Sequence, residues 1–288
     1  DYSTGAEAFL LEPQSTNLLP YSNDFSQWQR VNISTELSNT LSPDGSSFMT
    51  KATFSSAGLN SYVRQNRDMN SGSITVSCFV KKGLIDAFSS LRIINMDNPV
   101  NVWFDLDNGT IASETGSPTN KSIVDYGNGI YRISVTTTST SDLSFSAIIQ
   151  SASIDGGTPT ENATQFYWGG QAENLPYVTS YILTSGAAAT RNQELCVDAT
   201  PVINSEEGTL YAEISALANS GNYRSISLSD GTNTNRVNLT YSVSSNVLLG
   251  FINANGVNTS FSFTVNPITN FIKCAIKYKN NDCSFWVN

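Results

Sequence analysis

Hydrophobic and polar residues alternate along this chain with a period close to two, and helical periodicity is nearly absent. Ile74-Thr75-Val76-Ser77-Cys78-Phe79-Val80 shows the pattern, with its even positions on one face. Short runs of this kind recur between clusters of Gly, Asn, Asp and Ser, as in sandwiches and barrels. They predict strands near 47–54, 60–66, 73–81, 89–95, 101–106, 110–113, 121–125, 130–137, 143–150 and 165–173. Asp107-Asn108-Gly109 reads as a hairpin turn, and Tyr126-Gly127-Asn128-Gly129 leads into an alternating strand from Ile130.

Periodicity fades over residues 183–200, where Ser, Gly, three consecutive Ala, Thr and Arg gather. It returns with strands near 208–214, 224–228, 236–241, 247–252, 260–264 and 271–276. A further hairpin turn is expected at Lys279-Asn280-Asn281-Asp282. The expected organisation is a first module over 1–191, a linker over 192–200 and a second module over 201–288. No helix is long enough for a parallel crossover, so the fold class is all-β: two antiparallel, jelly-roll-like β-sandwiches in tandem. The strand pattern still runs at Trp286-Val287-Asn288 and the chain opens at Asp1, so a piece of a longer polypeptide is expected.

Composition narrows the function. Of 288 residues only 14% are charged, against a globular norm of roughly 25%. Ser, Thr, Asn and Gly take their place, as suits an extracellular or virion β-protein. Net charge is −9, which argues against a nucleic-acid footprint and against attachment to anionic lipid. No run of 18 apolar residues exists, so no membrane insertion is expected. Histidine is absent, which removes the commonest general base, His-dependent triads and His metal sites. No acid cluster with aromatic neighbours stands out, and Glu206-Glu207 reads as a solvated turn. A non-enzymatic role is expected. Cys78, Cys196, Cys274 and Cys283 form no C-x-x-C pair, so no zinc ribbon or redox motif is expected. Cys78 reads as a small buried hydrophobe, and Cys274 and Cys283 as free core thiols in preference to a disulfide. Cys274 and Cys283 would be offset along a ladder rather than opposite each other.

Several motifs carry a family resemblance. Leu10-Leu11-Glu12-Pro13-Gln14-Ser15-Thr16-Asn17-Leu18-Leu19 runs on to Tyr21-Ser22-Asn23-Asp24-Phe25-Ser26-Gln27-Trp28, then Ser42-Pro43-Asp44-Gly45. Next come Val76 to Lys82, Phe104-Asp105-Leu106-Asp107-Asn108-Gly109-Thr110 and Gly127-Asn128-Gly129-Ile130-Tyr131-Arg132. Trp168-Gly169-Gly170-Gln171-Ala172-Glu173, Thr179-Ser180-Tyr181-Ile182 and Thr190-Arg191 close the series. In this order they resemble modules of bacteriophage and prophage tail-fibre and other virion proteins. Ile130 stands where that family usually has Trp, and Leu183 where it has Pro. The opening also resembles jelly-roll carbohydrate-binding modules, and residues 201–288 resemble part of a concanavalin/laminin-G-type sandwich.

The resemblance implies a virion protein (tail fibre, appendage or capsid decoration) that acts as spacer and as binder of host-surface glycan or receptor. It also implies other virion proteins as partners and a homo-oligomer, often a trimer. The competing expectation is a carbohydrate-binding appendage of a secreted bacterial polysaccharide-degrading enzyme. Sugar sites use exposed aromatics beside amides and carboxylates. The candidates are Tyr62, Trp103, Asp105, Tyr126 and Tyr131. If Phe104 and Leu106 face the core, Trp103 and Asp105 face outward, for a ligand or for packing between strands. Trp28 and Trp168 read as core anchors. The jelly-roll likeness further implies a structural calcium where first and last strands meet, near Asn23, Asp24, Gln171 and Glu173.

Overall fold

A computed structural model describes residues 10–58, 60–196, 204 and 206–288. Two compact units divide the chain, one through Leu195 and one from Cys196. Of the expected linker, residues 197–200 lie outside the described residues.

Two six-stranded antiparallel sheets build the first unit. Sheet I runs β10 (Asn120–Asp125), β11 (Ile130–Ser139), β6 (Gly72–Lys82), β13 (Thr164–Glu173), β4 (Phe48–Phe54), β3 (Ile33–Leu41). Sheet II runs β2 (Gln29–Val31), β5 (Tyr62–Met69), β12 (Leu143–Ala152), β7 (Phe88–Ile94), β8 (Val100–Asp105), β9 (Thr110–Thr115). The alternating positions set the core. Ile74, Val76, Cys78 and Val80 of β6 share one buried cluster with Leu91 and Ile93 of β7, Val102 and Phe104 of β8, and Phe145, Ala147 and Ile149 of β12. The unit is therefore an antiparallel β-sandwich.

The two framing stretches meet. β1 (Ser15–Asn17) pairs with β14 (Ala189–Arg191), and Tyr21 bridges Ser185. Alternation did not predict β1, β2, β3 or β14. β3 is an edge strand of Ser, Thr, Glu and Asn with little burial, so it carries no strong pattern. One irregularity in sheet I changes which side chains reach its surface. The register passes from Trp168↔Phe79 to Gln171↔Ser77, so a bulge at Gly169-Gly170 reverses which positions of β13 face outward. Gly169 has φ +62, and a Cβ on Gly170 would lie 2.6 Å from the Trp28 ring.

The second unit has a three-stranded sheet, β15 (Glu207–Ile214), β20 (Ile272–Lys279), β21 (Ser284–Val287), and a four-stranded one. The latter runs β16 (Arg224–Ser229), β17 (Arg236–Tyr241), β18 (Val247–Ala254), β19 (Val257–Thr264). Leu239 and Leu248 pack with Ile276 and Phe285 in one core, so this unit too is an antiparallel sandwich. Asp282 N donates to Lys279 O in the expected turn, and Cys274 stands opposite Val287 rather than Cys283. All four cysteines are free; burial pushes the Cys78 thiol pKa up, and that of Cys274 to about 11.

Candidate functional site

Each sheet of the first unit turns one face away from the core, and these two faces differ. On sheet I, segments 12–22 and 174–191 lie across the outward side chains. Glu173 is 0% exposed. Its carboxylate accepts from Ser15 Oγ at 2.6 Å, from Thr179 N at 3.1 Å and from Thr179 Oγ1. Asn17 donates to the Gly170 and Ile182 carbonyls and accepts from the Leu19 and Ala172 amides. Gln171 accepts from Ile182 N at 2.7 Å and donates to the Thr179 and Ser180 carbonyls. Glu12 pairs with Arg191 and accepts from Ser180 N. Arg132 donates to Ser77 Oγ at 3.2 Å and sits 5.1 Å over the Phe79 ring. Burial pulls its pKa down, against the opposing pull of Tyr126, Glu173 and Glu12. Only arginine nitrogens here, Arg132 Nε and Arg191 Nε and Nη2, are buried without a partner.

This arrangement bears on the expected calcium residues. Gln171 and Glu173 are outward on sheet I, but protein donors already occupy their oxygens. Asp24 Oδ1 caps a short 3-10 turn, accepting from Ser26 N and Oγ. Among the described residues no group of three or more Asp, Glu or Cys could hold a metal ion. The four residues, with Asn23 half-buried beside Asp24, do not make a donor set that fits calcium.

The expected sugar contacts separate. Tyr126, 49% exposed, follows β10 and meets Phe79 edge-on at 4.9 Å on sheet I. Tyr131 stands opposite Val80 and packs against the core. Tyr62, Trp103 and Asp105 lie on sheet II. Trp103 does face away from the core, as Phe104 and Leu106 enter it. The 153–158 turn covers it, however: Trp103 is 6% exposed and donates from Nε1 to Gly157 O at 3.1 Å. Its ring thus offers no open face for stacking. Asp105 holds its own turn, accepting from the Asp107 and Asn108 amides and from Asn108 Nδ2. Burial raises its pKa, but these hydrogen bonds and nearby Lys82 outweigh it and hold the carboxyl below its ordinary value.

Register places two further rows on the outward face of sheet II. Arg64 pairs with Ile148, Ile148 with Arg92, and Arg92 with Asn101. At a strand spacing of about 4.8 Å, the two arginine backbones stand about 10 Å apart. Ile148, 2% exposed, is the floor between them. In the next row Gln150 stands opposite Ser90, and Ser90 opposite Trp103. Tyr62 adjoins Gln150 from the β5 side, one residue before the Val63–Ile149 pair. Ser90 Oγ donates to Asn101 Oδ1 at 2.6 Å, which orients the amide. Arg64 is held by Gln29 Oε1 (3.0 and 2.7 Å) and lies 5.7 Å over the Tyr62 ring. Arg92 is half-buried and makes no hydrogen bond or ion pair among the described residues. Burial pulls its pKa down, and Tyr62 pulls it back up. Gln150 is 0% exposed, and neither its Oε1 nor its Nε2 has a hydrogen-bond partner among the described residues.

Arg64, Arg92, Asn101 and Gln150 were not singled out from the sequence. Their signal was present in Tyr62-Val63-Arg64-Gln65-Asn66 and Ser90-Leu91-Arg92-Ile93, where polar residues occupy the outward parity. A shallow concavity of ≈ 600 Å³ lies elsewhere, lined by Leu18, Asp68, Asn70, Asp142 and Asn174 among others. It is acidic and wide open. Among the described residues no helix is long and apolar enough to cross a membrane.

Comparisons with known proteins add little. No protein-family profile matches the chain, and no curated protein matches it. Among solved structures it is similar to one from Bacteroides thetaiotaomicron VPI-5482, provisionally described as a sugar binding protein. Identity is 10% and the TM-score 0.31, over 55% of this chain and 95% of the other. A likeness at that level carries no functional argument.

Proposed function

We propose that this chain is a non-enzymatic glycan-binding protein of an extracellular particle: a tail fibre, appendage or capsid decoration of a phage or prophage. Its sandwich units act as rigid spacers, and the outward face of sheet II binds host-surface polysaccharide. One observation carries this reading. The Arg64–Ile148–Arg92–Asn101 row sets two half-buried arginines and an amide side by side next to Tyr62, and Arg92 makes no hydrogen bond or ion pair among the described residues. Sugars offer the complementary surface, apolar patches edged by hydroxyls. The virion assignment rests on the motif resemblance over about residues 1–191. An open face with few contacts binds weakly, so the mechanism is avidity: many copies, in a homo-oligomer or along a particle, engage one surface.

The test is a glycan array probed with the chain displayed at high valency, with the Arg92→Gln variant alongside. Binding to bacterial surface polysaccharides that Arg92→Gln weakens is the expected result. No binding to any glycan at high valency defeats the receptor role.

A further inference from the structure

We propose that the outward face of sheet II recognises an acidic saccharide, one carrying carboxylate groups, with Arg92 as the anchoring cation and Arg64 and Asn101 as flanking donors. This rests on the glycan-binding reading above and adds the chemical class of the ligand.

The groups left open in the row are nitrogen donors. Arg92 has no hydrogen bond or ion pair among the described residues. Arg64 is engaged by a neutral amide, Gln29, and by the Tyr62 ring, and has no carboxylate partner among the described residues. Asn101 gives its oxygen to Ser90, and its Nδ2 remains to donate. No carboxylate occupies the row, because the residues between and beside the arginines are Ile148, Asn101 and Gln29.

The acids on the same sheet stand off. Asp68 pairs with Ser144 two rows beyond Arg64. Asp105 is saturated by its own turn, Asp155 accepts through Oδ1 from Ser113 N and Oγ, and Glu114 of β9 pairs with Lys121.

A chain of net charge −9 thus keeps two arginines on one face without an acid between them. A neutral sugar would use the donors but leave the charge unanswered. A half-buried guanidinium without a counter-charge is costly, and an incoming carboxylate satisfies it with paired, charge-assisted hydrogen bonds. Ile148 is buried between the two arginines, so the apolar surface offered to a sugar ring is that of the arginine stems.

The experiment is titration calorimetry of the whole chain with uronic-acid oligosaccharides, their carboxyl-methyl esters, sulfated oligosaccharides and neutral oligosaccharides of the same length. Methyl esterification keeps the sugar and removes the charge. The expected result is binding of the uronate form that weakens with added salt. The ester and Arg92→Gln should each weaken it by roughly 10–100-fold. Arg92→Lys should recover only part of the loss, since it restores charge without the planar fork. Asn101→Asp should also abolish binding, by placing a carboxylate beside Arg92 while both arginines remain. Retained circular dichroism and thermal midpoint show that each variant is folded.

Equal binding of acid and ester overturns the acidic-ligand proposal and leaves glycan binding intact. Uronate binding that Arg92→Gln does not change also overturns it, since another surface is then responsible. Preference for sulfated over uronate oligomers overturns the carboxylate assignment. No binding of any of the four sets removes both this proposal and the reading it rests on.

Discussion

The two outward faces of the first unit have similar chemistry and opposite states. Both carry arginine, amide and hydroxyl side chains on antiparallel strands. On sheet I, segments 12–22 and 174–191 cover these groups, and Glu173, Gln171 and Asn17 find protein partners for nearly every polar atom. On sheet II, among the described residues, the 153–158 turn covers Trp103 but no comparable pair of segments crosses the arginine row, and half-buried Arg92 makes no hydrogen bond or ion pair. Polar residues on a sandwich face therefore do not announce a site. A covered and satisfied face serves stability, and an open, unsatisfied one is available to a ligand.

The contrast between the faces is most severely disturbed at Glu173. Glu173→Ala strands three donors and removes one of the two buried acids that act on Arg132. Removing one member of such a buried charged set costs about 3–5 kcal/mol. Urea unfolding of the first unit should show that loss as a lower midpoint at unchanged slope. A loss below about 1 kcal/mol would mean the covered face is not structural. Asn17→Ala should follow, at about 2 kcal/mol, because four backbone groups lose their partner. Trp103→Phe removes one hydrogen bond to Gly157 O, worth about 1 kcal/mol, and should leave glycan binding unchanged since the ring is covered. If binding falls with the fold intact, Trp103 reaches the ligand after all.

Smaller effects probe the same contrast from the other side. Arg92→Gln should move stability by no more than about 0.5 kcal/mol while weakening binding, the reverse of Glu173→Ala. Tyr181, on the covering segment 174–191 and packed against Trp168, has its pKa pushed by burial to about 12. Its folded value lies above the unfolded one, so its contribution is complete below pH 10 and is lost as pH rises toward 12. Thermal midpoints measured across that window should fall, and Tyr181→Phe should flatten the fall. Millimolar calcium should leave the midpoint unchanged, since Gln171 and Glu173 are already satisfied; a clear rise would revive the calcium expectation.

Much of the fold was legible in the alternation. The run Ile74–Val80 gave β6 its inward face, and Asp107-Asn108-Gly109 turned β8 into β9. Trp28 and Trp168 were readable as packing residues, and both are buried. The site was less legible. Trp103 was correctly placed on the outward side, but its cover, the 153–158 turn, is distant in sequence. Gln171 and Glu173 carry the oxygens calcium would need, yet the bulge at Gly169-Gly170 and the segments above them decide what they bind.

The all-β antiparallel class, most strand positions and the apolar parity of each strand were already present in the one-dimensional pattern, because those follow from neighbours along one chain. Which outward residues became covered and which stayed open was decided only in three dimensions. Arg64, Arg92 and Asn101 come from three strands, and strand register alone aligns them. Burial of the inner apolar face and the geometry of the connecting turns set that register across strands distant in sequence, and no local period encodes it.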